Sequence, residues 1–103
     1  MGRMSSTLPL RNQFAHALQV ARAARGKSQE SFDVVSSRTY VSSLERGLKS
    51  PTLKKIDDLA SVLGLHPLTL LTLAYTHEVN RSKVEEVLEL VRAELEQLQI
   101  TNL

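Results

Sequence analysis

In residues 36–47, SSRTYVSSLERG, small hydroxyls and guanidiniums are interleaved with apolar residues at helical spacing. Read as a helix entered from Ser36 or Ser37, both suited to an N-cap, the segment sets Val41, Leu44 and Leu48 on one side. At about 100° per residue the opposite arc collects Arg38, Thr39, Ser42, Ser43 and Arg46. Such a face has little use in a core. Arg is the common bidentate partner of guanine, and short hydroxyls permit close approach to base edges, so the chemistry on offer is the reading of a DNA major groove. The solvated side of a surface helix would use the same residue types, and the neighbouring segments tip the balance.

Other chemistries have less support. Residues 21–28, ARAARGKS, fit a loose phosphate-loop expression, but that loop needs a strand feeding a Gly-rich turn, whereas residues 10–25 have a helical period and the octet holds one Gly. His16, His66 and His77 are far apart, with no cysteine and no HExxH pattern, so no metal site is expected. No Gly-x-Ser-x-Gly and no recognisable carboxylate pair points to catalysis, so neither a catalytic residue nor a cofactor is expected. Met1-Gly2 with Ser6 has the form of a myristoylation signal, but nothing else points to a membrane.

Length and charge narrow the class. A chain of 103 residues has room for one modest core. The absence of cysteine, of a signal-peptide pattern and of any apolar run near the roughly 18 residues of a membrane span leads us to expect a soluble, cytoplasmic protein. Net charge is only +2, yet residues 22–55 hold eight basic side chains (Arg22, Arg25, Lys27, Arg38, Arg46, Lys49, Lys54, Lys55) against three acidic. From residue 56 onward the balance is acidic, so the positive field coincides with the polar helix face.

The supporting elements follow from periodicity. Residues 1–8 have no period and read as a disordered arm. From Pro9 the residues Leu10, Phe14, Ala17, Leu18 and Ala21 recur at helical steps up to Gly26, a C-cap. Ser28 is read as the cap of a short second helix that buries Phe32 and one or both of Val34 and Val35. Ser50-Pro51 reads as an N-cap and first residue of a fourth helix with Leu53, Ile56, Leu59, Ala60 and Leu63 inward and Gly64 at its end. Pro67 opens a fifth, in which Leu68, Leu70, Leu71, Leu73 and Ala74 are apolar almost all round, as in a helix buried between others. From about Asn80, Val84, Leu88, Val91, Leu95 and Leu98 form a heptad seam, widened by Val87, Leu90 and Ile100; this helix either lies back on its domain or pairs with a second copy.

SQESF, SSRTYVSSLERG and SPTLKKIDDLASVLGL together resemble the phage-repressor-like, XRE-type helix-turn-helix family over about residues 10–74. Five helical patterns and no strand pattern make the chain all-α, and the resemblance implies a five-helix repressor-like helix-turn-helix domain at residues 9–75; the heptad seam adds a C-terminal amphipathic helix at residues 76–103, expected to dimerise. By the same resemblance Arg38, Thr39 and Ser43, with Ser42 beside them, face base edges, while Ser28, Gln29, Tyr40, Arg46 and Lys49 meet phosphates. Arg22 and Glu45 stand where the family makes an ion pair between its first and third helices. Two departures are visible: the stretch between Gln29 and Tyr40-Val41 is two residues short and lacks the usual turn Gly, and Lys27 replaces an apolar residue. The second helix must therefore end early, or the turn be tighter.

The reading that results is a bacterial or phage sequence-specific DNA-binding regulator, expected to repress by occupying double-stranded DNA as a homodimer, with no membrane partner. The alternative is an antitoxin-like interaction module whose C-terminal helix binds a different protein. Association through Val84, Leu88, Val91, Leu95 and Leu98 is expected because these residues would otherwise leave an apolar stripe in water.

Overall fold

The computed structural model describes residues 10–76 and 80–98, with side chains in the first helix from residue 13. The arm at residues 1–8, Pro9, the Leu10 side chain, His77 and Ile100 lie outside the described residues. Five α-helices and one 3-10 turn make up the described chain: α1 Leu10–Ala24, the 3-10 turn Gln29–Phe32, α2 Arg38–Glu45, α3 Leu53–Leu63, α4 Pro67–Thr76 and α5 Arg81–Gln97. Among the described residues there is no strand, and the architecture is all-α.

The periodic apolar residues of the first four helices meet in one core. Phe14, Leu18 and Ala21 of α1 pack with Phe32, with Val41 and Leu44 of α2, with Ile56, Leu59 and Leu63 of α3, and with Leu70 and Ala74 of α4. Fully burying a residue of this size is worth roughly 1.5–3 kcal/mol, so this cluster is the main force holding α2 in place. In the completed core α1 lies against both α2 and α4, and the 3-10 turn is wedged against α2 and α3.

The two-residue shortening before α2 is absorbed by ending the second helix early. It persists for a single 3-10 turn, after which Val35 and Ser36 both donate their amides to the Phe32 carbonyl, each at 2.9 Å. This tight reversal buries Phe32 and leaves Val35 half-buried, but Val34 points into solvent, 84 % exposed. Ser28 occupies the N-cap position with extended backbone, yet its side chain makes no capping bond.

Of the two expected caps of α2 it is Ser37 whose Oγ accepts from the Tyr40 amide, at 3.1 Å. Three further expectations change for local reasons. The helix then stops at Glu45, where Gly47 at φ +73° lets Leu48 donate back to the Ser43 carbonyl at 2.9 Å. That positive φ is strained for any residue with a Cβ. The reversal swings Leu48 off the apolar side and into solvent. Likewise Thr52, rather than Ser50, caps α3: Thr52 Oγ1 accepts from the Lys55 amide at 3.1 Å, so Pro51 precedes the helix and Leu53, at its first position, is exposed. Finally, α4 is buried only along Leu70, Ala74 and Thr76, and Leu68 and Tyr75 remain exposed on its flanks.

The cap assignment is open to a stability measurement. Thr52→Ala should lower unfolding free energy by about 1 kcal/mol, the usual cost of losing an N-cap. Ser50→Ala should change it by less than about 0.5 kcal/mol. Urea denaturation of the two variants separates the assignments, and the reverse ranking would restore Ser50 as the cap.

Candidate nucleic-acid interface

The candidate face is carried by α2, and α2 is anchored at its last residue. Glu45 is a carboxylate in a position otherwise given to core residues, and its side chain is only 5 % exposed. An isolated buried carboxylate would be severely destabilising, so its partners decide whether this end of α2 can exist. Arg22 of α1 supplies a two-pronged contact, Nε to Oε2 at 2.7 Å and Nη2 to Oε1 at 2.9 Å. Gln29 adds Nε2 to Oε1 at 2.8 Å, and Gln19 donates Nε2 to the Glu45 backbone carbonyl. The remaining Arg22 nitrogen, Nη1, donates to the Lys27 carbonyl at 3.1 Å, which fastens the end of α1 to the same cluster.

The guanidinium–carboxylate hydrogen bond raises the Arg22 pKa above its already high ordinary value; partial burial opposes this and the Glu45 charge adds to it. A raised basic pKa contributes stability that is complete below the unfolded value and lost only as pH climbs through the folded one. Arg22 therefore stays charged throughout the neutral range, and its own titration gives no pH dependence there.

With α2 fixed by Val41, Leu44 and Glu45, its outward arc is Arg38, Thr39 and Arg46, with Ser42 half-buried among them. Ser43 departs from the expected arc. It is 7 % exposed, because it lies close to the Gly47 reversal, where its carbonyl takes the Leu48 amide. Ser42 and Arg46, expected on the same arc, stay on the accessible side, Ser42 half-buried and Arg46 exposed. Arg38 opens α2, and its Nη2 contacts Glu30 Oε2 at 3.0 Å and Asp33 Oδ2 at 3.5 Å, both carboxylates coming from the 3-10 turn and the residue after it.

Tyr40 lies at the rim, half-buried, with two ammonium groups over its ring: Lys49 Nζ at 5.8 Å and Lys55 Nζ at 5.5 Å from the centroid. Lys55 also donates to the Val35 carbonyl at 2.9 Å, tying the first turn of α3 to the turn before α2. The result is a basic rim next to the α2 arc. Ser28, at the start of the 3-10 turn, is exposed, and Gln29, expected to meet phosphate, has its amide on Glu45.

Four residues of this arrangement were not singled out from sequence: Glu30 and Asp33 beside Arg38, Gln19 and Lys55. Gln19 has a visible signal, since it precedes Arg22 by one helical turn on the same face of α1. Lys55 has none beyond membership of the basic stretch, because its contacts with Tyr40 and Val35 arise only when α3 is folded against the turn. Among the described residues no cluster of His, Cys, Asp or Glu could hold a metal ion, and no single helix is long and apolar enough to cross a membrane.

A polar, basic helix face held outward by a neighbouring helix across a tight turn defines a DNA-binding helix-turn-helix domain. A family model described as Helix-turn-helix matches residues 18–70, and the chain belongs to this XRE-type family of DNA-binding transcriptional regulators. No curated protein and no solved structure matches it.

The anchoring role of the ion pair has a measurable consequence. Arg22→Ala should destabilise the fold by about 2–4 kcal/mol, somewhat below the full cost of orphaning a deeply buried charge because Gln29 still donates to the Glu45 carboxylate. Arg25→Ala, one turn on and exposed, should stay within about 0.5 kcal/mol. Thermal melts of both variants test this, and equal small shifts would show that the pair does not hold α2.

Proposed function

We propose that the protein is a repressor that binds an inverted-repeat operator as a homodimer, with α2 of each subunit in a major groove. The observation that carries this reading is the outward arc Arg38, Thr39, Ser42 and Arg46 on a helix whose opposite side is locked by Val41, Leu44 and the Arg22–Glu45 pair. Arg38 and Thr39, at the N-terminal end that enters the groove, take the base edges with Ser42; Ser43, being buried, has at most an indirect part. Arg46, Lys49 and Tyr40 form the phosphate-facing rim, to which the ring contacts add Lys55, and the exposed Ser28 hydroxyl takes a phosphate at the start of the 3-10 turn.

Dimerisation is assigned to α5. This helix, capped by Asn80 Oδ1 on the Lys83 amide, has no buried residue, and Leu88, Leu90, Val91, Leu95 and Leu98 are all exposed, with Val84 half-covered. Seventeen residues of amphipathic helix with that much uncovered apolar surface favour an intermolecular partner. A second copy brings two α2 helices to one face of the duplex, and its two-fold symmetry calls for half-sites about 34 Å apart or a multiple of it. The same exposed face also supports the antitoxin-like reading, in which a different protein covers α5. The regulator would act in the cytoplasm of a bacterium or of a phage host.

Selection of genomic fragments on the purified protein tests the reading directly. The expected product is a motif with inverted half-sites at that spacing; failure to enrich any motif would count against sequence-specific binding. Leu88→Glu combined with Leu95→Glu should yield monomers in sedimentation and weaken operator binding while leaving the melting of the α1–α4 core little changed. A variant that stays dimeric would move the interface off α5, and a second protein copurifying in stoichiometric amount would favour the antitoxin-like alternative.

A further inference from the structure

We propose that Glu30 and Asp33 determine specificity by holding Arg38 away from DNA phosphates, so that the guanidinium is released to a neutral base edge in preference to the backbone. The proposal rests on the reading of α2 as the groove-entering helix and adds a second, acidic component to it.

The geometry is unusual for a basic surface. Arg38 is the first residue of α2, where the helix dipole disfavours a cation, and nothing in the core requires a charge there. Two carboxylates from the preceding turn converge on one of its nitrogens, Nη2, at 3.0 Å from Glu30 and 3.5 Å from Asp33. They are two of only three acidic residues in the stretch 22–55, and the third, Glu45, is committed to Arg22. All three side chains of the Arg38 cluster are at least half exposed, so the contacts are weak and reversible, each worth no more than a few-fold in an equilibrium.

Weakness is what lets such a contact discriminate. A phosphate that approaches Arg38 meets the two carboxylates as like charges, and extracting the guanidinium gains one charge contact for two lost. The O6 and N7 edge of guanine carries no net charge, is not repelled, and offers a bidentate contact whose discrimination exceeds that of an exposed ion pair. The acids therefore tax binding to arbitrary duplex more than binding to a duplex with guanine at the right step. Like-charge juxtaposition of this kind is a general means of suppressing wrong partners.

The test compares two duplexes with the full chain: the motif enriched by selection, and an unrelated duplex of equal length. Glu30→Gln with Asp33→Asn should tighten binding to the unrelated duplex by roughly tenfold, change binding to the motif by less, and so lower the selectivity ratio. The freed guanidinium then reaches one more phosphate, so the salt dependence on the unrelated duplex should steepen by about 0.9 per subunit. In an Arg38→Ala background the same neutralisation should leave the ratio unchanged. The single variant Glu30→Gln, which removes the shorter contact and touches no core residue, should move the ratio in the same direction. An unchanged ratio in the wild-type background overturns the proposal. So does an equal tightening that persists without Arg38, because the acids would then repel DNA without acting through it. If instead Arg38→Ala alone keeps the wild-type ratio, the assignment of Arg38 to a base edge falls and the proposal falls with it.

Discussion

The buried Glu45 carboxylate is the constraint on which the rest of the domain depends. A single unpaired charge in that position would cost more than most core contacts contribute, so α2 can end there only if α1 delivers Arg22 and the 3-10 turn delivers Gln29. One side chain thereby fixes three elements relative to one another: its carboxylate joins α1 to the turn, and its backbone carbonyl takes Gln19 from a second point on α1. The apolar cluster supplies most of the stabilisation. The polar cluster is directional, and therefore fixes the rotation of α2 about its own axis, which decides which side chains face outward.

Polar contacts on the outer surface follow the opposite design. The Arg38 carboxylate contacts and the Tyr40 cation–π contacts are exposed or half-exposed, and each is worth at most about 1 kcal/mol. The side chains proposed to meet a duplex are held loosely, while the helix that carries them is held by a buried network. A rigid platform with weakly restrained tips limits the ordering cost of binding to a few rotamers.

Beyond the core the balance changes again. The matched family region closes at residue 70, within α4, and α5 follows with no buried residue. On its surface Arg92 contacts Glu89 at 2.7 Å and Glu96 at 3.0 Å. What α5 lacks is apolar cover: Leu71 and Tyr75 of α4 face Val87, Leu90 and Val91 across one open groove, and Leu73 faces Val84 and Leu88 across another. The matched region thus gathers the buried core, while α5 keeps an exposed apolar face.

The helices and several of their ends are legible in the chain's residues, because these depend on local chemistry. Periodic Phe14, Leu18 and Ala21, and the same spacing in Ile56, Leu59 and Leu63, can bury only one face, and Gly26, Gly47 and Gly64 take the positive φ that ends a helix. The Arg22–Glu45 pair was legible through family resemblance, since opposite charges at matching positions have few other uses in a core. Packing between distant elements decides how α2 is turned and which side chains around it are covered. The Gly47 reversal buries Ser43 and exposes Leu48, the early end of the second helix exposes Val34, and the Glu45 cluster claims the Gln29 amide that resemblance assigned to phosphate. Periodicity places a side chain on an arc of its own helix, but whether that arc meets water, a neighbouring turn or another side chain depends on elements brought together from distant parts of the chain. The partnership of Tyr40 with Lys49 and Lys55, and of Arg38 with Glu30 and Asp33, could come only from that assembly.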